Sequence, residues 1–469
     1  MSDPSPAAPA ARRPRRAFAV LAPLFGLLYV FATPPFQSPD EPQHFYRAYQ
    51  VSELGIIGQK TTGKPEPRAG GFLPKSLKRV AELVLDDIPH NEERHVEPQA
   101  IKSALAVPLE PDDREFLEFP TNVLYSPVPY APQALGIFLG RMFQAPPIVL
   151  LYLARLLNLA VWFVFVYAAI RVTPVHRWVF LLLALAPMSI AQAASASADA
   201  LANGAAFLLV ASIFEAAFSP AATMERSRRR AITGLSLVVT LCKPVYSLLP
   251  VLVLLIPAAK FGSPRKFKKA AASLLALCWG TLAAWSAAVS PLAVPLQQGV
   301  SSSGQLRLIL TQPLRFLDAV RHMISTHFFH HLREFVGQLG WLDVALPFAL
   351  AILYILVLIF AALADKTGEI SVRARPKALG LAVVLVSAAA IVTTIYIVWN
   401  PVGAGGIEGV QGRYFIPFGP LLLLLFYNRK ISPLVEKIRV LRAALIAFSA
   451  FTLVFGLAAL LSRYYLSFF

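Results

Sequence analysis

Runs of about twenty apolar residues recur along this chain, each long enough to cross a bilayer core of ~30 Å as a helix. No other feature constrains the fold as strongly. In hydrocarbon a backbone must satisfy its own hydrogen bonds, so such runs become helices. With 57% of its 469 residues hydrophobic and 15% charged, the chain reads as an all-α, multi-pass integral membrane protein. Spans are expected near 16–33, 147–170, 178–193, 199–218, 231–242, 245–259, 270–289, 344–364, 378–398, 415–427 and 440–461. That makes about eleven in one membrane domain covering 16–469. Residues 1–15, Ala/Pro/Ser-rich and then basic, read as a disordered cytoplasmic tail.

Charge sets the expected orientation. The net charge is +17, yet residues 35–130 hold 15 acidic against 10 basic residues. The remaining cations fall in short loops between apolar runs, as cytoplasmic loops require. They imply no nucleic-acid partner. The stretch 34–130 then becomes a large first extracytoplasmic loop and 290–343 a second. Within the first, Leu73, Leu77, Val80 and Val84 share one helical face, which suits a helix on the membrane surface. Acidic 110–118 reads as a solvated face or short helix. Cys242 and Cys278 lie inside apolar runs, so no disulfide framework is expected.

The run 231–257 is ambiguous between one helix and two. Lys243-Pro244 interrupts it, and Pro removes a helical donor. Two short spans keep the basic loop after residue 259 inside. They place Lys243 at an outer turn, where it either meets an anionic phosphate or snorkels to the interface.

The most unusual polar stretch is PPFQSPDEPQHFYR, residues 34–47. Its prolines favour an extended or turned backbone, presenting Asp40 and Glu41 on a stiff loop where the first span ends. Neighbouring carboxylates raise one another's pKa, which suits a general base, and they also suit a metal ion. His44 follows closely. Arg413 sits in a Gly-rich segment, GIEGVQGRYFIP, where backbone and guanidinium can both approach a phosphate. Arg155 lies within a span and is a functional candidate on that ground. Asp199 opens the run SASADALANG as a helix cap or a site group. Tyr125 and Tyr130, in YSPVPYAP, offer either an aromatic wall for a sugar or an interfacial belt. No P-loop, dinucleotide fingerprint, nucleophile elbow or HExxH motif occurs, so no soluble nucleotide cofactor is expected.

The segments PPFQSPDEPQHFYRAYQ, YSPVPYAPQALG, ASADA, CKPVY and VQGRYFIP, in this order, resemble a large bacterial family of multi-pass membrane proteins formally labelled as being of unknown function. That family is in turn similar to the GT-C glycosyltransferases. The resemblance implies a plasma-membrane enzyme with its active face outside, a polyprenyl-phosphate sugar as donor and a glycan or lipid as acceptor. It implies an acidic residue near the end of the first span acting as base or metal ligand, here Asp40 or Glu41, with room for a divalent ion (Mg or Mn). The pattern Asp-Glu-Pro-Gln-His-Phe is one residue longer than the Asp-Glu and His-Phe of protein O-mannosyltransferases. On this reading Lys243, Arg413 and Arg155 hold the donor phosphate. His44, Tyr125 and Tyr130 line the acceptor or sugar side. The alternatives are a transporter or flippase for lipid-linked sugars, and a non-catalytic membrane component.

Overall fold

The computed structural model describes residues 7–61, 67–85, 87–91, 93–364, 370–428 and 439–466. The fold is mostly helical. Among the described residues six helices are long and apolar enough to span a membrane: the stretches Arg13–Ala32, Pro147–Val172, Asp199–Phe218, Pro264–Leu292, Ala374–Trp399 and Leu441–Tyr465. Shorter apolar helical segments, Pro244–Leu255, Phe348–Ala364 and Gly412–Phe426, accompany them. The basic tail ahead of the first span falls partly outside the described residues, and from Ala7 onward it is the start of helix α1 (Ala7–Ala32).

Helices α2 to α9 are Glu41–Ser52, Lys75–Leu85, Pro98–Ala106, Ala131–Arg141, Pro147–Val172, Arg177–Ala184, Pro187–Ala193 and Asp199–Phe218. Helices α10 to α17 are Arg226–Cys242, Pro264–Val289, Ser302–Thr311, Pro313–Gly337, Phe348–Ala364, Ala374–Trp399, Gly419–Leu423 and Arg439–Tyr465. Helix α9 is the hub. Within its apolar stretch 83% is buried, against 17% for that of α11, which leaves most of α11 exposed. Small residues let α9 occupy this central position. Ala200, Ala202, Ala205 and Ala206 are buried on α9, and small side chains let neighbouring helices approach closely.

Three local departures from the sequence pattern matter. The expected span at 178–193 is two helices, because Pro187 starts α8 and cannot continue α7. The run after α10 breaks at Lys243-Pro244, and short 3₁₀ turns follow over Pro244–Tyr246 and Leu249–Leu255. The proline-rich stretch before His44 is only half loop. Helix α2 begins at Glu41 with Pro42 in its first turn, where the missing N–H is no loss.

The first large loop is a small α/β lobe with its own core. Strands β1 (Gln59–Thr61), β2 (Arg68–Pro74) and β3 (Arg114–Glu118) form an antiparallel sheet in the order β1-β2-β3. The acidic stretch is therefore an edge strand rather than a solvated helix. Leu77, Val80 and Val84 of α3, with Leu73, do share a face, but it is buried in the lobe against Tyr49 and Leu117. That face is thus not laid on a membrane surface. The same core takes in Tyr130, Ile137 and Ile148, so the lobe is continuous with the top of the helical bundle.

Candidate functional site

Where the lobe meets the bundle, the end of α1 is held by one arginine. All five N–H groups of Arg155, on α6, are used. Nε donates to Glu41 Oε1 at 2.8 Å and Nη2 to Glu41 Oε2 at 2.5 Å. The remaining hydrogens reach the carbonyls of Val30 (3.0 Å), Thr33 (2.7 Å) and Pro34 (2.8 Å). These carbonyls lie at the C-terminus of α1, where a cation suits the helix dipole. Glu41 also accepts the Ala196 N–H at 2.9 Å, and both side chains are fully buried. All five guanidinium hydrogens, and three of the roughly four lone-pair positions of the carboxylate, are spent on structure. Glu41 is thus committed to holding the end of α1, fully buried against Arg155. Arg155 has no hydrogen left for a donor phosphate.

Asp40, one residue earlier, is placed differently. Its backbone is left-handed (φ 55°), a region that Asp tolerates better than most residues. The two neighbouring carboxylates differ in surroundings, Glu41 being buried on Arg155 and Asp40 exposed. Asp40 remains exposed on a wall otherwise made of buried polar groups. Although solvent reaches the residue, the protein packed around its carboxyl partly desolvates that group and pushes its pKa above the usual range. Arg413 and Lys243 oppose that shift and Asp199 adds to it.

Those three residues come from distant elements. Asp199 begins α9, Lys243 caps the end of α10 and Arg413 lies in the 3₁₀ turn Gly412–Phe418. Lys243 Nζ pairs with Asp199 Oδ1, and Arg413 Nη1 lies 3.7 Å from Asp199 Oδ2. Gln192 donates to the same carboxylate at 2.9 Å and is itself fixed by Asn203 at 3.0 Å. The loop that presents Asp199 is pinned by amides. Asn158 binds the Ser195 and Ser197 carbonyls (2.7 and 2.9 Å), and Gln133 binds Ser197 at 2.7 Å. Asp199 is buried. It therefore acts as a fixed strut that sets the spacing of two cations.

Aromatic groups close the site. Lys243 lies 5.1 Å from the centre of the Tyr414 ring and Arg413 lies 5.6 Å from it. His44 Nδ1 and the Tyr130 hydroxyl are 3.0 Å apart. Burial pushes the His44 imidazole down to about 3, with Asp199 opposing and the cations reinforcing the shift. His44 is therefore neutral at ordinary pH and presents a ring nitrogen rather than a charge. Tyr130 is fully buried. Tyr125 is half-buried, and its carbonyl accepts from Arg47 at 3.1 Å.

Arg413 is held from the far side by α13. Glu334 accepts the Gly412 N–H at 2.6 Å and pairs with His331 Nδ1 at 2.9 Å. A Cβ on Gly412 would sit 1.9 Å from the His331 carbonyl oxygen, a contact that only backbone movement relieves. Gly412→Ala is therefore expected to displace Arg413. A cysteine placed at position 413 should then become reachable by thiol reagents. An equally unreactive cysteine at 413 with and without the Gly412→Ala change counts against the clamp.

Asp40, His44, Tyr125, Tyr130, Asp199, Lys243 and Arg413 thus gather at one place, while Glu41 and Arg155 form the scaffold beneath it. Sequence reasoning missed Gln192, Glu334 and Tyr414. Gln192 had a signal, as a lone amide inside an apolar run, and Tyr414 adjoins Arg413. Glu334 had none, since its role is set by contact with a residue 78 positions away. A divalent ion does not fit this donor set. Glu41 is spent, Asp199 is paired with two cations, and Asp40 alone leaves too few oxygens. Among the described residues no three His, Cys, Asp or Glu side chains cluster for a metal.

A family model described as a predicted membrane protein (DUF2142) matches residues 23–422. No curated protein and no solved structure matches the chain.

Proposed function

We propose that this chain, which belongs to the DUF2142 family of predicted membrane proteins, is an inverting glycosyltransferase of GT-C type in the bacterial plasma membrane. It moves a sugar from a polyprenyl-phosphate donor to a glycan or lipid acceptor on the outer face. The observation that carries this reading is an accessible carboxylate, Asp40, facing two buried cations fixed by a shared strut. That is the charge layout of a displacement in which a base and a phosphate leaving group act from opposite sides of one carbon.

In the reaction, Asp40 takes the acceptor hydroxyl proton as that oxygen bonds to the anomeric carbon. The bond from that carbon to the phosphate oxygen breaks, and the phosphate leaves with the electron pair. Lys243 and Arg413 stabilise the charge growing on it, as preorganised donors do in a water-poor site. One displacement inverts the anomeric centre. His44 and Tyr130 orient the sugar or acceptor hydroxyls, and Tyr125 and Tyr414 supply aromatic surface.

Electrostatics make the cycle self-consistent. With Asp40 ionised, the two carboxylates balance the two cations. A donor phosphodiester adds one negative charge, which raises the affinity of Asp40 for a proton when a base is needed. The acid limb of the pH–rate profile reports this group. Because its pKa is raised, that limb is expected above the range of an ordinary aspartate, with activity lost as pH falls through it. The check is the profile of transfer in isolated membranes. A limb at or below the ordinary aspartate range speaks against Asp40 as the base.

About eleven crossings, the first loop and the active face outside, and a large lobe over the site complete the proposal. A flippase for lipid-linked sugars would need ionisable groups along both halves of the bundle. Here the polar cluster sits at one end of α9.

A further inference from the structure

The opposite end of α9 carries a second polar feature that the proposed reaction does not use. Helix α9 has 20 residues, or about 30 Å at 1.5 Å per residue, so its ends lie a membrane apart. At the far end, Lys260 donates to the carbonyls of Ala216 on α9 (2.7 Å) and of Ser219, which caps it (2.8 Å). Beside it, between the first turns of α10 and α11, is a cavity of about 640 Å³. That is within the size range of small-molecule sites.

Five cations line this cavity: Arg229, Arg230, Lys260, Lys266 and Lys269. Among the described residues no carboxylate lines it. Glu215 is already paired, with Arg228 bonded to it at 2.7 Å, and Glu225 at the start of α10 accepts from the Ser227 hydroxyl at 3.2 Å. Among the described residues, Arg229, Arg230, Lys266 and Lys269 form no ion pair. Helices α10 and α11 both begin in cations, and neither has an acidic residue in its first turn. A helix N-terminus favours anions; Glu225 supplies a carboxylate as the N-cap of α10, whereas α11 is capped by the neutral Ser263. The floor is apolar, with Ile232, Val253 and Leu274 buried. One wall, Leu277, is 46% exposed on α11.

We propose that this cavity binds the phosphate headgroup of an anionic lipid in the leaflet opposite the Asp40 site. The cations take the phosphate, and an acyl chain lies along Leu277 and the exposed face of α11. Basic pockets between transmembrane helices select such headgroups. A free phosphate offers the same charge but leaves the apolar wall unused.

The test uses full-length protein in nanodiscs of phosphatidylcholine, alone or mixed with phosphatidylglycerol. Lipid retained on repurification and thermal melting are both read. The wild type is expected to enrich phosphatidylglycerol and to melt higher in the mixed discs. The quadruple change Arg229→Gln, Arg230→Gln, Lys266→Gln and Lys269→Gln should remove that enrichment, at roughly fivefold per cation lost. A control neutralises Arg307, Arg315 and Arg321, cations on α12 and α13 away from the cavity, and should keep the enrichment. Equal enrichment in wild type and quadruple variant overturns the proposal, as does equal loss in the control. Inorganic phosphate added to phosphatidylcholine discs gives the third arm. If it stabilises the wild type as much as phosphatidylglycerol does, the site takes a soluble anion and the lipid assignment fails.

Discussion

Replacing Asp40 with Asn is expected to lower sugar transfer by a factor of about 10² to 10⁴, the usual contribution of a positioned general base. Asn is the informative choice. It keeps the side-chain shape and tolerates the left-handed backbone that Asp40 adopts, so the fold should survive. The amide cannot accept the acceptor proton. Transfer is followed in isolated membranes as label passing from polyprenyl-phosphate sugars to acceptor, alongside protein abundance and melting. A variant as abundant and stable as wild type, with transfer down at least a hundredfold, is the expected outcome. Loss of less than about fivefold removes Asp40 from the role of base.

The neighbouring carboxylate should behave differently. Arg155→Ala leaves Glu41 buried with no cation and uncaps three carbonyls at the end of α1. Breaking a buried ion pair from one side costs about 3–5 kcal/mol, a large share of the stability of most domains. The variant is expected to accumulate poorly and to melt well below wild type in detergent. Removing both partners, as Arg155→Ala with Glu41→Ala, should be milder than the sum of the single changes, because no buried charge is then left alone. It should still fall short of wild type, since the carbonyls remain uncapped. An Arg155→Ala protein that melts with wild type contradicts the structural assignment. So does a Glu41→Gln protein that folds normally but has lost transfer.

This contrast marks the boundary of what the residues disclose by themselves. Apolar runs declare spans because hydrocarbon leaves a backbone few choices. The interruption at Lys243-Pro244 declares itself because Pro lacks a donor. Polar groups stand out for a similar reason. Lys243, Asp199 and Arg413 are conspicuous in apolar surroundings, and the structure places them in one cluster with Asp40 and His44. What stays hidden is pairing at a distance. Glu41 and Arg155 are 114 residues apart, and nothing local distinguishes a committed carboxylate from an available one. Burial decides which is which, and Pro42 starts a helix at Glu41 rather than extending the loop. The β-sheet of the lobe was obscured in the same way. Its strands are short and charged, and they gain order from pairing with each other rather than from a pattern of their own.

Arg413 extends the lesson. Its glycine neighbour reads as freedom for a phosphate to approach. In the structure Gly412 instead lets α13 approach, with its N–H on Glu334 and no room for a Cβ. The same residue type serves close packing of protein against protein, and through it the position of the guanidinium.

The most direct test is the composition of outer-face glycans, together with lipid-linked sugars, in cells lacking this protein and in cells restored with wild type or Asp40→Asn. The account predicts that one sugar or branch disappears from a surface glycan, that its polyprenyl-phosphate donor accumulates on the outer leaflet, and that wild type but not Asp40→Asn restores the glycan. Unchanged glycans in the deletion contradict it. So does a donor trapped on the inner leaflet, which is the signature of a missing flippase.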